Sequence, residues 1–419
     1  TTSGASSRRR PSRRGPGVPS WTADPGRAML SIPPYYRVKN CNLIVDCQYG
    51  STGKGLLAGY LGALEAPQVL CMAPSPNAGH TLVEEDGTAR VHKMLPLGIT
   101  SPSLERIYLG PGSVIDMDRL LEEYLALPRQ VELWVHQNAA VVLQEHRDEE
   151  AAGGLAPGST RSGAGSAFIA KIRRRPGTLL FGEAVRDHPL HGVVRVVDTR
   201  TAQDMLFRTR SIQAEGCQGY SLSVHHGAYP YCTARDVTTA QLIADCGLPY
   251  DVARIARVVG SMRTYPIRVA NRPEAGEWSA PCYPDSVECQ FADLGLEQEY
   301  TTVTKLPRRI FTFSAIQAHE AIAQNGVDEV FLNFAQYPPS LGALEDILDA
   351  IEARAEVTYV GFGPKSPTST TPPPGQSSKV CMPATVAELQ AEIAAWIHPL
   401  NPDRRPGAPS PSSWRRSGS

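Results

Sequence analysis

The chain has 419 residues, a formal net charge of −1 and 42% hydrophobic residues, values typical of a globular enzyme with one large domain or two. It has no apolar run near the roughly 18 residues that a membrane span needs and no secretory hydrophobic segment near its start, so we expect a cytoplasmic protein. Its nine cysteines are scattered without a C-x-x-C pair, which argues against zinc and favours reduced structural thiols.

The start of the chain has a different composition from the rest. Its first 28 residues hold six arginines against one acid, Asp24, separated by proline, serine and glycine. Such a segment cannot bury a core, so we predict a basic disordered extension over residues 1–37. One interpretation is that this segment binds a polyanion. An equally good one is that the natural protein starts at Met29 and the preceding residues come from a translation start placed too far upstream.

A glycine-rich turn follows the first predicted strand. The apolar residues 42–45 predict a strand, residues 56–61 predict the start of a helix, and DCQYGSTGKG at 46–55 connects them. Backbone N–H groups at such a helix start can bind phosphate, and Lys54 adds a positive charge. The turn is not a Walker A loop, since Gln48 replaces the first glycine and Gly55 follows the lysine. Taken by itself, the turn is equally well interpreted as a tight connection between strand and helix or as a phosphate-binding site.

A second motif, NAGHT at residues 77–81, precedes a predicted strand at 82–83. A histidine near a strand is more often structural than catalytic. Beside asparagine and glycine on a loop, however, His80 can donate to a phosphoryl oxygen or protonate a leaving group.

The remaining pattern predicts an α/β fold. Strand-like runs at 106–109, 133–135, 329–332 and 357–360 alternate with helix-like runs at 315–324 and 341–355. This order favours a single large domain, residues 38–370, around a mainly parallel central sheet. Residues 371–419 are predicted to form a Pro/Ser-rich linker, a short amphipathic helix at 384–397 and a disordered tail.

The two motifs together resemble the adenylosuccinate synthetase family, whose sequences read WGDEGKGK and then NAGHT. Further matches follow in order: GSTRSGAG at 158–165 with GTTGRGIGP, EGCQG at 215–219 with EGAQG, and HGAYPYCT at 226–233 within DHGTYPYVT. The basic segment at 171–175 and GFGP at 361–364 also resemble family motifs. The resemblance covers roughly residues 40–370 and implies the family's P-loop-related α/β fold.

The family moves the γ-phosphoryl of a nucleotide onto the 6-oxo oxygen of a purine monophosphate, and the amine of aspartate then displaces phosphate. The resemblance implies catalytic roles for Ser51, Lys54 and His80, and Mg²⁺ near Ser51 and the Gly79 carbonyl. The monophosphate residues implied are Ser51, Asn77, Ser159, Thr160, Arg174, Gln218 and Thr233, with Arg174 reaching across a homodimer. The phosphoryl-donor residues implied are Thr52, Gly53, Lys54, Gly55, His80, Thr81, Asn333, Gln336, Gly363 and Pro364. The aspartate-binding residues implied are Thr302, Val303, Thr304 and Arg308.

The first departure from the family is Ser51, which stands where the family has an aspartate that takes the purine N1 proton. A serine cannot act as a carboxylate base near neutral pH. The chain is therefore either an inactive paralogue or one with a changed substrate. Guanine carries a 2-amino group. A carboxylate at this position would crowd that group, whereas the smaller hydroxyl leaves room and can accept a hydrogen bond from it. The change resembles a phage branch of the family that makes 2-aminoadenylosuccinate from dGMP.

Two further departures point the same way. Phe334 and Gln336 replace the lysine and aspartate of the family's guanine-reading LTKLDVL segment, which favours ATP or dATP over GTP, although drift at a weak site is the alternative. Leu306 replaces an arginine near the ribose, which suits a deoxyribose. It also weakens the aspartate site, so Arg308 is the best candidate for binding the aspartate carboxylate.

We therefore predict an ATP-dependent ligase that joins dGMP and L-aspartate to give 2-amino-2′-deoxy-N6-succinyladenylate for diaminopurine deoxynucleotide synthesis. It is expected to be a homodimer in the host-cell cytoplasm if phage-encoded, independent of membranes and nucleic acid. The alternatives are an adenylosuccinate synthetase using IMP and GTP, and a non-catalytic nucleotide-binding paralogue. The sequence leaves open the choice between ATP and dATP and the group that accepts the N1 proton.

Overall fold

The computed structural model describes residues 38–83, 87–153, 160–271, 278–301 and 306–363. The predictions of a basic extension at 1–37 and of a linker, helix and tail at 371–419 lie outside these residues.

The strands are β1 (Asn40–Asp46), β2 (Val69–Met72), β3 (His80–Val83), β4 (Ala89–His92), β5 (Arg106–Leu109), β6 (Val114–Ile115), β7 (Glu132–His136), β8 (Ala140–Val141), β9 (Val194–Val197), β10 (Ser211–Gly219), β11 (Ala256–Arg263), β12 (Ile267–Arg268), β13 (Glu288–Cys289), β14 (Arg309–Phe311), β15 (Glu329–Asn333) and β16 (Glu356–Val360). The α-helices are α1 (Lys54–Glu65), α2 (Met117–Leu125), α3 (Gln144–Ala151), α4 (Ala164–Arg173), α5 (Phe181–Ala184), α6 (Thr199–Arg208), α7 (Thr239–Cys246), α8 (Tyr250–Ala253), α9 (Ala315–Asn325) and α10 (Leu341–Glu352).

Nine of the described strands form one sheet in the order β16-β15-β11-β1-β10-β2-β5-β7-β9. Every neighbouring pair in it is parallel. Six of the seven residues of β1 and all four of β2 are buried, as expected where helices cover both faces of a parallel sheet. The prediction of a mainly parallel α/β fold is confirmed.

The strand order brings distant segments to one edge of the sheet. β1 lies between β10 and β11, and β15 lies beyond β11. Asp46 pairs with Gly219 on one side and with Ser261 on the other, while Arg263 pairs with Asn333. Because all these strands run parallel, their carboxyl ends meet at the same edge, the usual place for a ligand site in such folds.

Two apolar clusters hold this edge in place. One packs Leu57 and Leu61 of α1 against Ile44, Val259 and Phe331 of three adjacent strands. The other packs the second half of the sheet against α2 and α5. Burial of these apolar side chains, at about 25 cal/mol per Å², is the main stabilising contribution and holds α1 against the sheet.

Most predicted elements agree with the structure to within two residues at each end. The exception is the helix predicted at 341–355, which ends at Glu352. Its last turn stops because Ala355 and Glu356 lead into β16. All eight cysteines among the described residues are free thiols, as predicted. No helix in the described ranges is both long and apolar enough to cross a membrane.

Candidate active site

The glycine-rich turn between β1 and α1 adopts left-handed backbone conformations at three positions. Gly50, Ser51 and Gly53 have φ values of 87°, 57° and 93°. Gly53 is the N-cap of α1 and provides no side-chain cap, so N–H groups of the first turn remain available to a ligand. A Cβ at Gly53 would collide with the Asn333 side chain, so glycine is required there for conformation and for space.

Asp46, the last residue of β1, organises this turn. Its Oδ1 accepts hydrogen bonds from the N–H groups of Gln48 (3.0 Å) and Gly50 (3.1 Å), and its Oδ2 accepts one from the Thr52 hydroxyl (2.6 Å). Asp46 is 2% exposed. A buried carboxylate with three donors fixes Gln48, Gly50 and Thr52 without needing a ligand, and none of these three hydrogen bonds is to Ser51 itself.

Ser51 and Thr52 point in opposite directions. Thr52 is fully buried, and its hydroxyl lies 2.7 Å from that of Ser261 as well as bonding Asp46. Any contact of Thr52 with a phosphoryl donor must therefore come from its backbone. Ser51 is exposed, and its carbonyl accepts a hydrogen bond from the Arg263 guanidinium at 3.2 Å. The residue that departs from the family's aspartate thus faces the open side of the turn.

Lys54 and His80 are both buried beside the turn, at 7% and 4% exposure. His80 Nε2 lies 3.2 Å from the Cys217 carbonyl. A carbonyl only accepts, so this nitrogen carries the proton. His80 Nδ1 is buried and has no hydrogen-bond partner among the described residues. Burial, and secondarily the charge of Lys54, hold the pKa of His80 well below its usual range, which leaves a neutral imidazole with one free lone pair.

A buried acid balances Lys54 electrostatically. Glu215 is fully buried and accepts hydrogen bonds from the N–H groups of Leu97 and Gly98 at 2.9–3.0 Å. Burial raises its pKa, while these N–H groups and Lys54 act against that rise. Glu215 thus lies close enough to Lys54 for the two groups to interact electrostatically.

Two residues predicted to bind the purine monophosphate are brought together. Gln218, near the end of β10, donates from Nε2 to Asn77 Oδ1 at 2.9 Å. Thr160 lies before α4 with its hydroxyl 3.1 Å from that of Ser162. Thr233 is half-buried at the end of the 226–233 segment. Glu150 accepts hydrogen bonds from the N–H groups of the N-cap Gly163 and of Gly165 and Ser166 in the first turn of α4, at 2.7–3.2 Å. These three N–H groups are therefore already used at the start of the helix.

Arg174 lies away from Thr160. It follows the last residue of α4, is exposed and has φ 52°. A helix of 10 residues spans about 15 Å, so Arg174 and Thr160 lie at opposite ends of it. This separation agrees with the predicted role of Arg174 in a partner's site rather than its own.

The predicted donor-base residues meet at the end of β15. Asn333 is fully buried, and its Oδ1 accepts from the N–H groups of Phe334 (2.8 Å) and Gly363 (3.0 Å). Asn333 Nδ2 and Gln336 Oε1 are buried without partners among the described residues. Phe334 has φ 60°. Unpaired amide groups and a strained backbone are expected where a ligand supplies the missing partners.

At the aspartate loop, Arg308 is the described candidate. Its backbone N–H donates to the Glu299 carbonyl (2.8 Å) and its Nε to the Tyr300 carbonyl (3.2 Å). Burial lowers the pKa of Arg308, an effect that the Glu299 carboxylate opposes. By contrast, the neighbouring Arg309 is committed to Glu288 at 2.6 Å. Five predicted site residues lie outside the described residues: Ser159, Thr302, Val303, Thr304 and Pro364.

Gly55, Thr81 and Gly79 complete the predicted set. Gly55 is buried in the first turn of α1, Thr81 is exposed on β3, and Gly79 is exposed just before it. No group of three or more His, Cys, Asp or Glu within the described ranges could hold a metal ion by itself. The candidate oxygens of Ser51 and Gly79 are of the type that Mg²⁺ prefers.

Sequence reasoning missed Asp46, Glu215 and Arg263. Asp46 could have been found, since an acid at the end of a strand beside a glycine-rich turn is a common loop organiser. Arg263 follows an ordinary strand pattern, and its position in the site depends on the order of the strands.

Known proteins share this sequence pattern and this geometry. A family model described as adenylosuccinate synthetase matches residues 43–189 and 183–337. The N6-succino-2-amino-2′-deoxyadenylate synthases of Salmonella phage PMBT28 and Acinetobacter phage SH-Ab 15497 are 43% and 39% identical over 78% of this chain and 96% and 92% of their own.

Two solved structures are also similar. The succinoaminodeoxyadenylate synthetase of cyanophage S-2L, bound to dGMP and to dATP as an energy donor, is 92% identical over 86% of this chain and all of that one, with a TM-score of 0.81. The adenylosuccinate synthetase of Plasmodium falciparum is 18% identical over 78% of this chain and 98% of its own, with a TM-score of 0.63, which supports the fold alone.

Proposed function

The chain belongs to the adenylosuccinate synthetase family, and on that basis we propose that it is a ligase that condenses dGMP with L-aspartate at the expense of ATP or dATP. The products are 2-amino-2′-deoxy-N6-succinyladenylate, a nucleoside diphosphate and phosphate. The observation that carries this assignment is an exposed Ser51 beside an intact phosphate cradle with Lys54 and His80. The phage relatives bear the name of the same activity.

The purine binds with its 2-amino group toward Ser51. The hydroxyl accepts a hydrogen bond from this amine, and its small size leaves room that a carboxylate would fill. Asn77 and Gln218, already bonded to each other, contact the nucleotide from the other side. Ser51 therefore selects the base and does not act as the carboxylate that removes the N1 proton.

Phosphoryl transfer to the 6-oxo oxygen depends on positioning and charge. Lys54 offsets negative charge on the donor phosphates, together with the N–H groups of the first turn of α1. His80 is neutral in the free protein because burial and Lys54 lower its pKa. The approach of a polyanionic phosphoryl group favours its protonated form, which allows His80 to donate to the transferring oxygen. The aspartate amine then forms the C–N bond and phosphate leaves.

Ser51 and the Gly79 carbonyl would provide the protein oxygens for Mg²⁺. The ion, when bound, would supply positive charge that neutralises the donor phosphates. The donor base contacts Asn333 and Gln336, whose unpaired Nδ2 and Oε1 atoms complement an adenine edge. Arg308, with residues 302–304, binds the aspartate carboxylates.

The proposed enzyme is a homodimer with a catalytic domain over residues 38–370. Arg174 is exposed at the end of α4, between two more exposed arginines, Arg173 and Arg175. Ile172, on the same helix, is 57% exposed. An apolar residue beside exposed guanidinium groups suits a surface that meets a second subunit and its bound nucleotide phosphate.

The test combines enzyme, Mg²⁺ and aspartate with dGMP or IMP, each with ATP or GTP, and follows phosphate release and product mass. We expect turnover with dGMP and ATP, and a loss of at least about 100-fold in the Lys54→Met variant. Turnover with IMP but not dGMP would contradict the substrate assignment. Tight dGMP binding without turnover in any combination would indicate a non-catalytic nucleotide-binding protein.

A further inference from the structure

Arg263 is a fully buried arginine at the meeting point of the three proposed subsites. It is the last residue of β11 and has 0% exposure. Its backbone is paired with the Gln48 side chain in both directions: Arg263 N–H donates to Gln48 Oε1 at 2.9 Å, and Gln48 Nε2 donates to the Arg263 carbonyl at 3.0 Å. The end of β11 is therefore fixed directly to the glycine-rich turn.

The guanidinium group of Arg263 contacts Ser51, Glu299 and Phe334, with the Tyr337 ring as a more distant neighbour at 5.6 Å. Nη1 donates to the Ser51 carbonyl at 3.2 Å, and Nη2 donates to Glu299 Oε1 at 2.6 Å. The same group lies 3.9 Å from the centroid of the Phe334 ring. Ser51, Glu299 and Phe334 come from the purine, aspartate and donor-base regions of the proposed site, respectively.

Two of these contacts are to residues with strained backbone conformations, one through the Ser51 carbonyl and one through the Phe334 ring. Ser51 has φ 57° and Phe334 has φ 60°, a region that residues other than glycine adopt only when their surroundings hold them there. A charge-assisted hydrogen bond to the carbonyl of Ser51 and a stacked cation over the ring of Phe334 are such constraints. Arg263 thus holds Ser51 in the conformation that presents its side chain to the open site.

We propose that Arg263 is a positioning residue that sets the selectivity for the 2-amino purine through Ser51. This inference rests on the proposed use of dGMP. Without the guanidinium, Ser51 relaxes toward negative φ, and its hydroxyl moves away from the 2-amino group. A purine that lacks this amine, such as dIMP, loses nothing, because it never formed that hydrogen bond.

An arginine is required because lysine cannot make all three contacts at once. A guanidinium is planar, so it can stack on a ring while donating from two nitrogens in its plane. A lysine ammonium is a single compact charge, so when it pairs with Glu299 it has no second nitrogen to donate to the Ser51 carbonyl and no plane to stack on Phe334. The Arg263→Lys variant therefore removes the positioning of Ser51 with little change in charge.

A substitution of Glu299 distinguishes the positioning of Ser51 by Arg263 from the binding of aspartate by Arg308. Its carboxylate also accepts a hydrogen bond from the Tyr337 hydroxyl at 3.1 Å, and its carbonyl accepts one from the N–H of Arg308 at 2.8 Å. The Glu299→Gln variant keeps the Arg263 contact to Ser51 and the backbone hydrogen bond to Arg308, but it removes the negative charge that favours the charged form of the Arg308 guanidinium. We expect it to raise the KM for aspartate several-fold and to leave base selectivity unchanged.

The experiment measures kcat/KM for dGMP and for dIMP in the wild-type protein, Arg263→Lys, Glu299→Gln and Arg257→Lys. Arg257 is the matched control, because it lies on the same strand and is ion-paired to Glu65 and Glu329, far from the turn. In Arg263→Lys we expect the dGMP/dIMP ratio to fall about tenfold, equivalent to about 1.4 kcal/mol. The ratio stays at the wild-type value in Arg257→Lys.

An unchanged ratio in a folded Arg263→Lys protein, with its melting temperature close to that of Arg257→Lys, overturns the inference. If Arg263→Lys does not fold, Phe334→Leu serves as the second variant. It removes the ring on which the guanidinium is stacked, so the guanidinium is no longer held in the orientation that reaches the Ser51 carbonyl. A lowered ratio there supports the inference, and an unchanged one overturns it. Wild-type protein that does not turn over dGMP contradicts the proposed function itself, so the two failures are distinguishable.

Discussion

Removing the Asp46 carboxylate tests whether the glycine-rich turn is held by the protein or by its ligands. Asp46→Ala leaves the N–H groups of Gln48 and Gly50 without the acceptor that they now share. An unsatisfied buried donor costs about 1–3 kcal/mol. Since Gln48 is 1% exposed and Gly50 is half-buried, we expect a loss of about 3 kcal/mol in the free energy of unfolding.

Asp46→Asn separates hydrogen bonding from charge. The asparagine Oδ1 still accepts from both N–H groups, and its Nδ2 can donate to the Thr52 hydroxyl. That hydroxyl can then turn its proton toward Ser261, whose oxygen lies 2.7 Å away. The substitution only replaces charge-assisted hydrogen bonds with neutral ones, which costs about 1 kcal/mol.

The assay is denaturant unfolding together with phosphate release in the presence of dGMP, aspartate and ATP. Because Lys54 and the first turn of α1 follow the loop directly, we expect kcat/KM to fall about 100-fold in Asp46→Ala and a few-fold in Asp46→Asn. Glu123 is the matched control, since its buried carboxylate also accepts from three N–H groups, those of Lys93, Met94 and Leu95. Glu123→Ala should lower stability without lowering kcat/KM of the folded protein. Wild-type kcat/KM in Asp46→Ala would refute the role given to Asp46.

Three other substitutions test the remaining subsites. Ser51→Asp should lower kcat/KM for dGMP at least about tenfold relative to dIMP, because the carboxylate crowds the 2-amino group; unchanged dGMP kinetics would remove this steric argument. Gln336→Asp should lower use of ATP and raise use of GTP, because a carboxylate pairs with the guanine N1–H and 2-amino donors; an unaltered ATP/GTP ratio of phosphate release would place the donor base elsewhere. His80→Gln should lessen the loss of stability on acidification, measured by unfolding at pH 8 and pH 5. The pKa of His80 is depressed in the folded protein, so below about pH 6.5 the unfolded chain binds more protons than the folded one. Equal acid sensitivity of wild type and His80→Gln would contradict a buried neutral imidazole.

The sequence predicted the elements that depend on short-range patterns. β1, β5 and α9 were predicted to within two residues, because apolar periodicity and capping residues are local signals. It also singled out Lys54 and His80 as candidate catalytic residues, because each lies in a contiguous motif. The end of α10 was misplaced because residues 353–355 have good helix propensity, and only the position of β16 decides where the helix stops.

The sequence alone therefore predicted the α/β class, and with the family resemblance it singled out the glycine-rich turn and Ser51 as candidates for phosphate binding and substrate choice. The tertiary structure decided which side chains reach that turn. Thr52 was predicted to bind the phosphoryl donor. In the structure, however, its side chain points into the protein and contacts Ser261, which lies 209 positions later in the chain. Arg263 gave no signal in the sequence and contacts Ser51, Glu299 and Phe334. The reason is physical: these contacts exist because β1 pairs with β11 and β11 with β15, and the order of strands in a parallel sheet is set by packing over the whole chain.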